Sequence, residues 1–379
     1  MSDQASDILI IGAGIAGASA AAELSTTHRV TLLERENMPG YHSTGRSAAL
    51  FSEIYGGAPV RALSRASRDF FFSPPEGFAA HPLIKRRGAL YVASARQLAS
   101  LAAFTANPDV EPAVHTISCA DALAACPILR PKYVSAAVLE PDASDVDVHA
   151  LHEGYLRLFR RNGGTLVTDA EVQTLEWRGG AWHARTTAGG FQAPVAVNAA
   201  GAWADTIAAK AGVAIQHIQP RRRTALLVEL PPGINPDAWP MTIDIDETFY
   251  FKPDGGLLLV SPADETAVDA CDVQAEEIDV AMAIDRVEKA TTLQIKRIRK
   301  KWAGLRSFGP DRAPAVGFDP AASGFFWLAG QGGYGIQTAP AVAKLAAALI
   351  RGEALPPALH GFDPASVSPA RAHPPSPNV

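Results

Sequence analysis

Cysteine is scarce in this chain of 379 residues. Only Cys119, Cys126 and Cys271 occur, and no two of them have CxxC spacing. The odd number argues against a framework of disulfide bonds and favours a reducing compartment. A secretory signal peptide is not expected either, because Asp3 and Asp7 precede a motif-bearing segment that begins at once.

Long apolar runs and an excess of positive charge are also missing. No apolar run approaches the ~20 residues that cross a bilayer, so we expect a cytoplasmic protein, with attachment to the inner face of a membrane left open. The formal net charge of −5 gives no basic surface for nucleic acid. The basic run at 296–301 is interpreted as the solvated face of a strand. With 47% hydrophobic residues, the chain suits a globular enzyme of one large domain or two.

The N-terminal segment carries the first informative motif. The apolar strand Ile8–Ile11 runs directly into Gly12, Gly14 and Gly17 in GxGxxG spacing, followed by an alanine-rich helix. A second apolar strand then ends at Glu34. This order is typical of dinucleotide binding, with phosphates at the helix N-terminus and the acid on a ribose diol. The motif alone does not distinguish NAD from FAD.

Two further segments resemble ligand-binding loops. The stretch 35–49 contains Ser43, Thr44 and Arg46, which we expect to offer hydroxyls and a positive charge to a second phosphate. Near the C-terminus, the buried strand Phe325–Ala329 leads through a second glycine-rich turn into a helix over 336–350. His149 and His152 have HxxH spacing but no third ligand nearby, so no metal site is expected.

The remaining pattern predicts an α/β chain, α+β overall. Parallel-type strands near the N-terminus and at 195–197 alternate with helices, whereas 224–260 reads as a mostly antiparallel sheet. We expect one discontinuous domain from 1–80, 142–219 and 308–365, and a second from 81–141 and 220–307. The segment 366–379, rich in proline and serine, is predicted to be disordered.

Several strings together resemble the FAD-dependent family of D-amino acid oxidase, glycine oxidase and sarcosine oxidase. They are the N-terminal fingerprint, Gly40–Ala49, Asn198–Gly201, Trp302–Phe308 and Gln331–Thr338. Within that family they are most similar to those of the bacterial D-arginine dehydrogenases. The resemblance implies a Rossmann-type FAD domain, a substrate domain on an antiparallel sheet, and FAD held without a covalent bond, since no cysteine lies near 304–317.

The resemblance also implies the residues that hold FAD. These are Gly12, Gly14, Ile15, Ala16, Gly17, Glu34, Arg35, Ser43, Thr44, Arg46, Ser47, Ala48, Val172, Ala200, Gly201, Trp203, Gly304, Arg306, Gly332, Gly333, Tyr334, Gly335, Ile336, Gln337 and Thr338. The turn at 332–335 is expected to face the flavin, where a helix N-terminus stabilises negative charge.

For the substrate, the resemblance implies a carboxylate clamp formed by Arg306. A guanidinium fork suits a carboxylate because it donates two parallel bonds and stays charged. Tyr55 and Tyr250 are expected as hydroxyl donors beside it, Arg223 as a second positive group, and Gly332 and Gln337 at the pocket or flavin edge. Judged singly, Tyr250 also reads as a core aromatic and Arg223 as a solvated arginine.

Two positions depart from the D-arginine dehydrogenase pattern. Leu50 stands where those enzymes have a histidine, and Ala89 where they have a glutamate that recognises the substrate guanidinium. A buried site without a carboxylate accepts a cationic side chain poorly, so neutral or apolar D-amino acids are expected, unless Glu53 supplies the missing charge.

The expected reaction is oxidative deamination. Hydride leaves Cα for the flavin, and the imino acid hydrolyses to a 2-oxo acid and ammonia, with oxygen or a quinone as the electron acceptor. An oxidase of glycine, sarcosine or another secondary amine, producing peroxide, is the alternative. An NAD-binding regulatory protein would use the first fingerprint alone, and the second glycine turn argues against it.

Overall fold

A computed structural model describes residues 3–371. The disorder predicted for 366–379 is wrong at its beginning. Val367 is completely buried at the end of the 3-10 helix Pro364–Val367, and Arg371 makes an ion pair of 2.6 Å with Asp311. The rest of that prediction, 372–379, lies outside the described residues.

A six-stranded sheet carries the N-terminal fingerprint. In spatial order its strands are Thr165–Val167, Val30–Leu33, Ile8–Ile11, Val195–Asn198, Phe325–Ala329 and Ala315–Phe318. The first five run parallel, and the last pairs antiparallel to its neighbour. Their continuous apolar runs follow from burial on both faces, and every residue of Ile8–Ile11 is buried.

Three helices cover one face of this sheet. The first helix, Ile15–Leu24, packs between the helices Val148–Arg161 and Gly335–Arg351. Its alanines allow this close approach, and Ala18, Ala20, Ala21 and Ala22 have no exposed surface. The side chain of Asp147 caps the helix Val148–Arg161 by accepting from the N–H of Ala150.

A ten-stranded, mostly antiparallel sheet forms the other large layer. In spatial order it comprises Gln331–Gly332, Ile298–Phe308, Gln219–Val228, Leu257–Ser261, Tyr250–Asp254, Met241–Asp244, Ala89–Ala93, Ala136–Glu140 and His115–Ile117, with Thr266–Ala267 paired to Gln219–Val228. Its one parallel pairing joins Met241–Asp244 to Ala89–Ala93.

Smaller elements complete the described chain. A four-stranded sheet contains Gln4–Ala5, Gly189–Ala193, Ala181–Thr186 and Val172–Arg178, and a three-stranded sheet contains Leu50–Phe51, Ser144–Val146 and Ile84–Arg86. The other α-helices are Ala58–Phe72, Leu98–Thr105, Cys119–Ala125, Ala204–Lys210 and Glu277–Ala290; 3-10 turns lie at Glu111–Ala113, Gly201–Trp203 and Pro357–Leu359.

The two longest strands of the large sheet lie side by side. Gln219–Val228 and Ile298–Phe308 pair antiparallel along almost their whole length, with Arg221 opposite Arg306 and Arg223 opposite Gly304. Because side chains alternate along a strand, Arg223 and Arg306 lie on the same face of the sheet. The basic run is exposed as predicted, but only 299–301 lie in the strand, and 296–297 precede it.

The division into two domains at the limits given above stays a prediction. Within residues 3–371, no helix combines the length and the apolarity that crossing a membrane would require.

Candidate functional site

A cavity lies where the carboxyl ends of the parallel strands meet one face of the ten-stranded sheet. Ile11 and Leu33 line it from strand ends, and Ala225, Tyr250 and Leu305 line it from the large sheet. Such a sheet edge is the usual ligand site of open α/β sheets. Most of the residues predicted for FAD and substrate line it: Gly12, Gly14, Ile15, Ala16, Glu34, Arg35, Ser43, Thr44, Arg46, Ser47, Ala48, Val172, Ala200, Gly201, Trp203, Arg223, Tyr250, Gly304, Arg306, Gly332, Gly333, Gly335 and Ile336.

Five predicted residues do not line the cavity, and three of them are Gly17, Gln337 and Thr338. Gln337 is buried, and its amide donates to Ser64 Oγ at 2.7 Å. The hydroxyl of Thr338 donates to the carbonyl of Tyr334 at 2.9 Å within the helix. These side chains therefore support the wall of the cavity, and direct contact with a ligand would require them to turn.

Tyr334 and Tyr55 are the other two, and they support the cavity from behind. Their rings pack edge to face with centroids 5.0 Å apart. Burial raises the pKa of Tyr334 to about 12, so this phenol stays protonated at neutral pH. The hydroxyl of Tyr55 reaches Arg306, as described below.

The first glycine turn is held by contacts that require glycine. Gly12 has a φ of 102°, and a Cβ built there would lie 2.5 Å from the carbonyl oxygen of Ala199. A Cβ on Gly17 would lie 1.9 Å from the carbonyl oxygen of Gly12. His152 donates from Nε2 to the carbonyl of Ala13 at 2.9 Å, and burial lowers the pKa of this histidine. His152 thus supports the turn, and among residues 3–371 no group of three or more side chains is arranged to hold a metal.

Two side chains complete the turn from other segments. The hydroxyl of Thr44 accepts from the N–H of Ile15 at 3.0 Å, and it lies 3.3 Å from the position of a Cβ on Gly14. Glu34, nine-tenths buried, accepts from the N–H of Ala13 at 2.9 Å and from that of Glu36 at 3.0 Å. An ionised carboxylate has about four acceptor sites, so Glu34 can bind both N–H groups and a diol.

Replacing Glu34 with glutamine tests this arrangement. An amide keeps one acceptor oxygen, and its NH₂ group must face one of the two backbone N–H groups. Since bonds to a charged group are worth about 1.5–3 kcal/mol, we expect FAD to bind roughly 10- to 100-fold more weakly. Quenching of flavin fluorescence on titration of the apoprotein measures this. Glu171→Gln, at an exposed residue lining the same cavity, is the matched control, and equal affinities of the two variants would contradict the role of Glu34.

Arg46 lines the cavity, but its guanidinium is engaged by the protein. It donates to the carbonyls of Val273 at 2.9 Å and Ala303 at 3.2 Å, and it is paired with Asp272. The expected contact with a phosphate would require some of these bonds to break. In the structure, Arg46 joins the loop at 35–49 to the ten-stranded sheet.

Part of the cavity wall beside Glu34 was not predicted from the sequence. His42 bonds to Glu36 at 2.8 Å, and its ring lies 4.6 Å from that of Trp203. The guanidinium of Arg35 lies over the same indole at 4.0 Å. Further lining residues not predicted are Gly40, Tyr41, Ala170, Glu171, Ala199, Ala202, Thr206, Ile207, Lys210, Ser307 and Gln331. His42 could have been predicted, because it belongs to the recognised string Gly40–Ala49. Thr206 and Lys210 could not, because they reach the cavity only through the packed position of their helix.

At the other side of the cavity lies Arg306. Its Nη1 donates to the hydroxyl of Tyr55 at 3.0 Å, and a Cβ on Gly333 would lie 2.8 Å from the same Nη1. The glycine therefore lets the second turn pack directly against the guanidinium. Among residues 3–371, no acid forms an ion pair with Arg306, so its charge is available to an anionic ligand.

The positive charge of Arg223, the second arginine on this face of the sheet, is balanced in part by an acid. Arg223 is 7% exposed and pairs with Glu265 at 2.9 Å, and Glu265 also pairs with Arg312 at 3.0 Å. Although burial opposes it, the two arginines hold the pKa of Glu265 below its ordinary value. The Nε of Arg223 is buried and has no hydrogen-bond partner among the residues that the structure describes. Two arginines thus share one acid, and a positive charge remains beside Arg306.

Leu50 and Ala89, the two positions that depart from the D-arginine dehydrogenase pattern, also have apolar surroundings. Leu50 is half-buried in a cluster with Met241, Tyr250 and Leu259, and Ala89 is completely buried. Glu53 is paired with Arg68 and does not line the cavity. The structure therefore gives Glu53 a partner within the protein and no contact with the cavity.

The residues present fit FAD. Gly14 and Gly333 line one continuous cavity, and the helices Ile15–Leu24 and Gly335–Arg351 begin beside these two glycines. The cavity thus combines the carboxylate of Glu34 with two helix N-termini. This combination suits a dinucleotide with a ribose diol and a flavin end that carries negative charge when reduced.

Comparisons with known proteins agree with this geometry. The chain is 24% identical over 359 residues to glycine oxidase of Geobacillus kaustophilus, covering 91% of this chain and 92% of that protein. The crystal structure of that enzyme superposes with a TM-score of 0.80 and 22% identity over 97% of this chain and 99% of its own. For L-proline dehydrogenase from P. horikoshii the TM-score is 0.77, with 22% identity over 94% and 96% of the two chains.

A vertebrate relative matches only in part. The Xenopus laevis protein named FAD-dependent oxidoreductase domain-containing protein 1 is 28% identical over 174 residues, which are 41% of this chain and 34% of that protein. The chain thus matches about a third of the length of that relative.

The sequence profile of the family described as FAD dependent oxidoreductase (DAO) matches residues 7–349. That span includes both glycine turns and Arg306, so the cofactor and the mixed α/β fold expected from the sequence are confirmed. This chain belongs to the DAO family of FAD-dependent oxidoreductases, which includes enzymes of amino acids and amines.

Proposed function

We propose that this chain oxidises D-amino acids with neutral or apolar side chains to 2-oxo acids and ammonia, with FAD as its cofactor. The observation that carries the proposal is Arg306, a partly buried guanidinium without an acid partner among residues 3–371, bonded to Tyr55 and packed on the second glycine turn. A lone guanidinium in this setting suits a carboxylate. The D configuration is supported by the resemblance of Gly40–Ala49, Trp302–Phe308 and Gln331–Thr338 to D-amino acid enzymes.

The chain's own residues bind and orient the substrate. Arg306 holds the carboxylate, the phenols of Tyr55 and Tyr250 add donors, and Arg223 adds positive charge. The N-terminus of the helix Gly335–Arg351 favours negative charge at its end of the cavity. FAD, when bound, would supply the acceptor for the hydride that leaves Cα, and the imino acid so formed would hydrolyse in water. Because the hydride carries both electrons of the Cα–H bond, no protein base is needed to remove a proton from Cα. Catalysis comes from the alignment of the bound substrate.

The preference for neutral side chains follows from the same region. Leu50, Met241 and Leu259 surround Tyr250, whereas the nearby acids Glu53 and Glu140 do not line the cavity. A cationic side chain would therefore lose its hydration without gaining a partner. Non-covalent attachment of FAD also stays a proposal, supported by the fact that Cys119, Cys126 and Cys271 do not line the cavity.

Anaerobic reduction of the purified flavoprotein by a substrate panel tests the proposal. Neutral D-amino acids such as D-alanine, D-leucine and D-phenylalanine are expected to bleach the flavin, and their L-enantiomers, D-arginine and D-lysine are not. Stronger reduction by D-arginine or D-lysine would overturn the side-chain preference. A flavin that no D-amino acid bleaches would overturn the reaction.

A second candidate is an oxidase of glycine or a secondary amine. It is favoured by the similarity to a glycine oxidase along nine-tenths of both chains. Glycine, sarcosine and proline in the same panel, followed by admission of air, distinguish the two, since this candidate produces peroxide. The same step separates oxygen from a quinone as the acceptor. Membership of the FAD family argues against the third reading, an NAD-binding regulatory protein.

A further inference from the structure

Glu140 is a buried acid without a positively charged partner. It ends the strand Ala136–Glu140 and is 3% exposed. Ser52 Oγ donates to its two oxygens at 2.9 and 3.0 Å, and the hydroxyl of Tyr91 donates to one of them at 3.2 Å. Among residues 3–371, no lysine, arginine or histidine forms an ion pair with it. Ionisation of a buried acid that only neutral hydroxyls hold is unfavourable, and such groups are enriched at functional sites.

Ser52 connects this acid to the carboxylate clamp. Its N–H donates to Gln337 Oε1 at 3.4 Å, so Ser52 is bonded on one side to the C-terminal helix and on the other to Glu140. Three residues further along the same loop, the hydroxyl of Tyr55 accepts from Arg306 at 3.0 Å. The two attachments, at Ser52 and Tyr55, are thus separated by only two residues, 53 and 54.

We propose that Glu140 is a positioning residue that acts through Ser52 to set the place of Tyr55 beside Arg306, and so the affinity for substrate carboxylates. The inference rests on the proposed function of Tyr55 and Arg306. When Glu140 is ionised, Ser52 and Tyr91 donate charge-assisted bonds to it, which are shorter and stronger than neutral ones. When Glu140 is protonated these bonds weaken and the loop is held less firmly.

The pKa of Glu140 is shifted toward neutral pH. Burial raises the pKa of Glu140 to about 7, the hydroxyls of Ser52 and Tyr91 oppose the rise, and the charges of Glu53 and Asp142 add to it. Carboxylate affinity is therefore expected to increase from pH 6 to pH 8.

The charged groups around Glu140 have partners of their own. Glu53 is paired with Arg68, and Asp142 is paired with Arg86 at 3.0 Å. Glu247 acts at a distance on Tyr91, and burial together with Glu140 raises the pKa of that phenol far above neutral.

The inference is tested by titrating the holoprotein with benzoate at several pH values between 6 and 8. The change in flavin absorbance measures benzoate binding. Benzoate stays fully ionised over this range. In the wild type we expect its affinity to rise about three- to tenfold, since an altered hydrogen bond changes binding by about 1 kcal/mol. In Glu140→Gln the affinity should not change with pH. In Tyr91→Phe, which removes a donor to the ionised form, the midpoint should move to higher pH.

Ser52→Ala is the second variant and leaves Glu140 in place. Because it breaks the link to Tyr55, its benzoate affinity is also expected to be independent of pH, even if Glu140→Gln does not fold. The free energy of unfolding gives a further readout. The native state keeps the Glu140 proton to higher pH than the unfolded chain, so stability falls as pH rises toward 7, and Glu140→Gln should lose this slope.

The outcomes separate the two proposals. A pH profile of benzoate affinity that is the same in the wild type, Glu140→Gln and Ser52→Ala would overturn the role of Glu140 and leave the carboxylate site intact. No perturbation of the flavin by benzoate at any pH would overturn the carboxylate site, and the role of Glu140 with it.

Discussion

Replacing Arg306 with lysine is expected to weaken binding of substrate carboxylates by about 2–4 kcal/mol, or roughly 30- to 1,000-fold. Lysine keeps the charge but not the planar fork that makes two parallel bonds. It also leaves the hydroxyl of Tyr55 without the donor that it has at 3.0 Å. The apparent dissociation constant of the substrate during anaerobic flavin reduction measures the loss.

Arg221→Lys is the matched control, because Arg221 lies opposite Arg306 on the paired strand. Its guanidinium donates to the carbonyl of Glu265 at 3.0 Å, and the residue does not line the cavity. Substrate affinity within twofold of the wild type is expected for this variant. The same small effect in Arg306→Lys would show that the carboxylate is held elsewhere.

Gly17→Ala is the second substitution with a large expected effect. The added Cβ would lie 1.9 Å from the carbonyl oxygen of Gly12, so the first helix and the glycine turn must separate. Although alanine favours a helix interior by up to about 1 kcal/mol, overpacking of this kind costs about 1–3 kcal/mol or more. We expect a lower midpoint of thermal unfolding and a protein purified largely without FAD, as measured by absorbance per chain.

Gly57→Ala provides the comparison. Gly57 has a φ of −72°, and the atom nearest to an added Cβ is Pro59 Cδ at 4.0 Å. Because Gly57 precedes the helix Ala58–Phe72 as its cap, a cost of up to about 1 kcal/mol is expected, with FAD retained. Full FAD content in Gly17→Ala would contradict the close packing described for the first turn.

The sequence was sufficient where local pattern and chemistry agree. The strands Ile8–Ile11 and Phe325–Ala329 are continuous apolar runs, and both proved to be buried members of one sheet. The two glycine turns follow them directly, so their meeting at one cavity edge could be predicted from the strand-to-helix order.

Other features depended on long-range contacts that no local pattern records. Arg46 was expected to bind a phosphate, yet its partner Asp272 lies 226 residues further along the chain. Arg371 seemed to belong to a disordered tail, but Asp311 holds it. Glu140 is unremarkable in the sequence, and only the pairing of its strand with Ala89–Ala93 buries it beside Ser52.

The most direct test of the proposed reaction compares a neutral D-amino acid with its α-deuterated form in anaerobic reduction of the bound FAD. Hydride transfer from Cα predicts that the flavin is bleached several-fold more slowly by the deuterated substrate, because the Cα–H bond breaks in that step. It also predicts one 2-oxo acid per flavin bleached. Reduction at equal rates without any 2-oxo acid, or no reduction by D-amino acids, would contradict it.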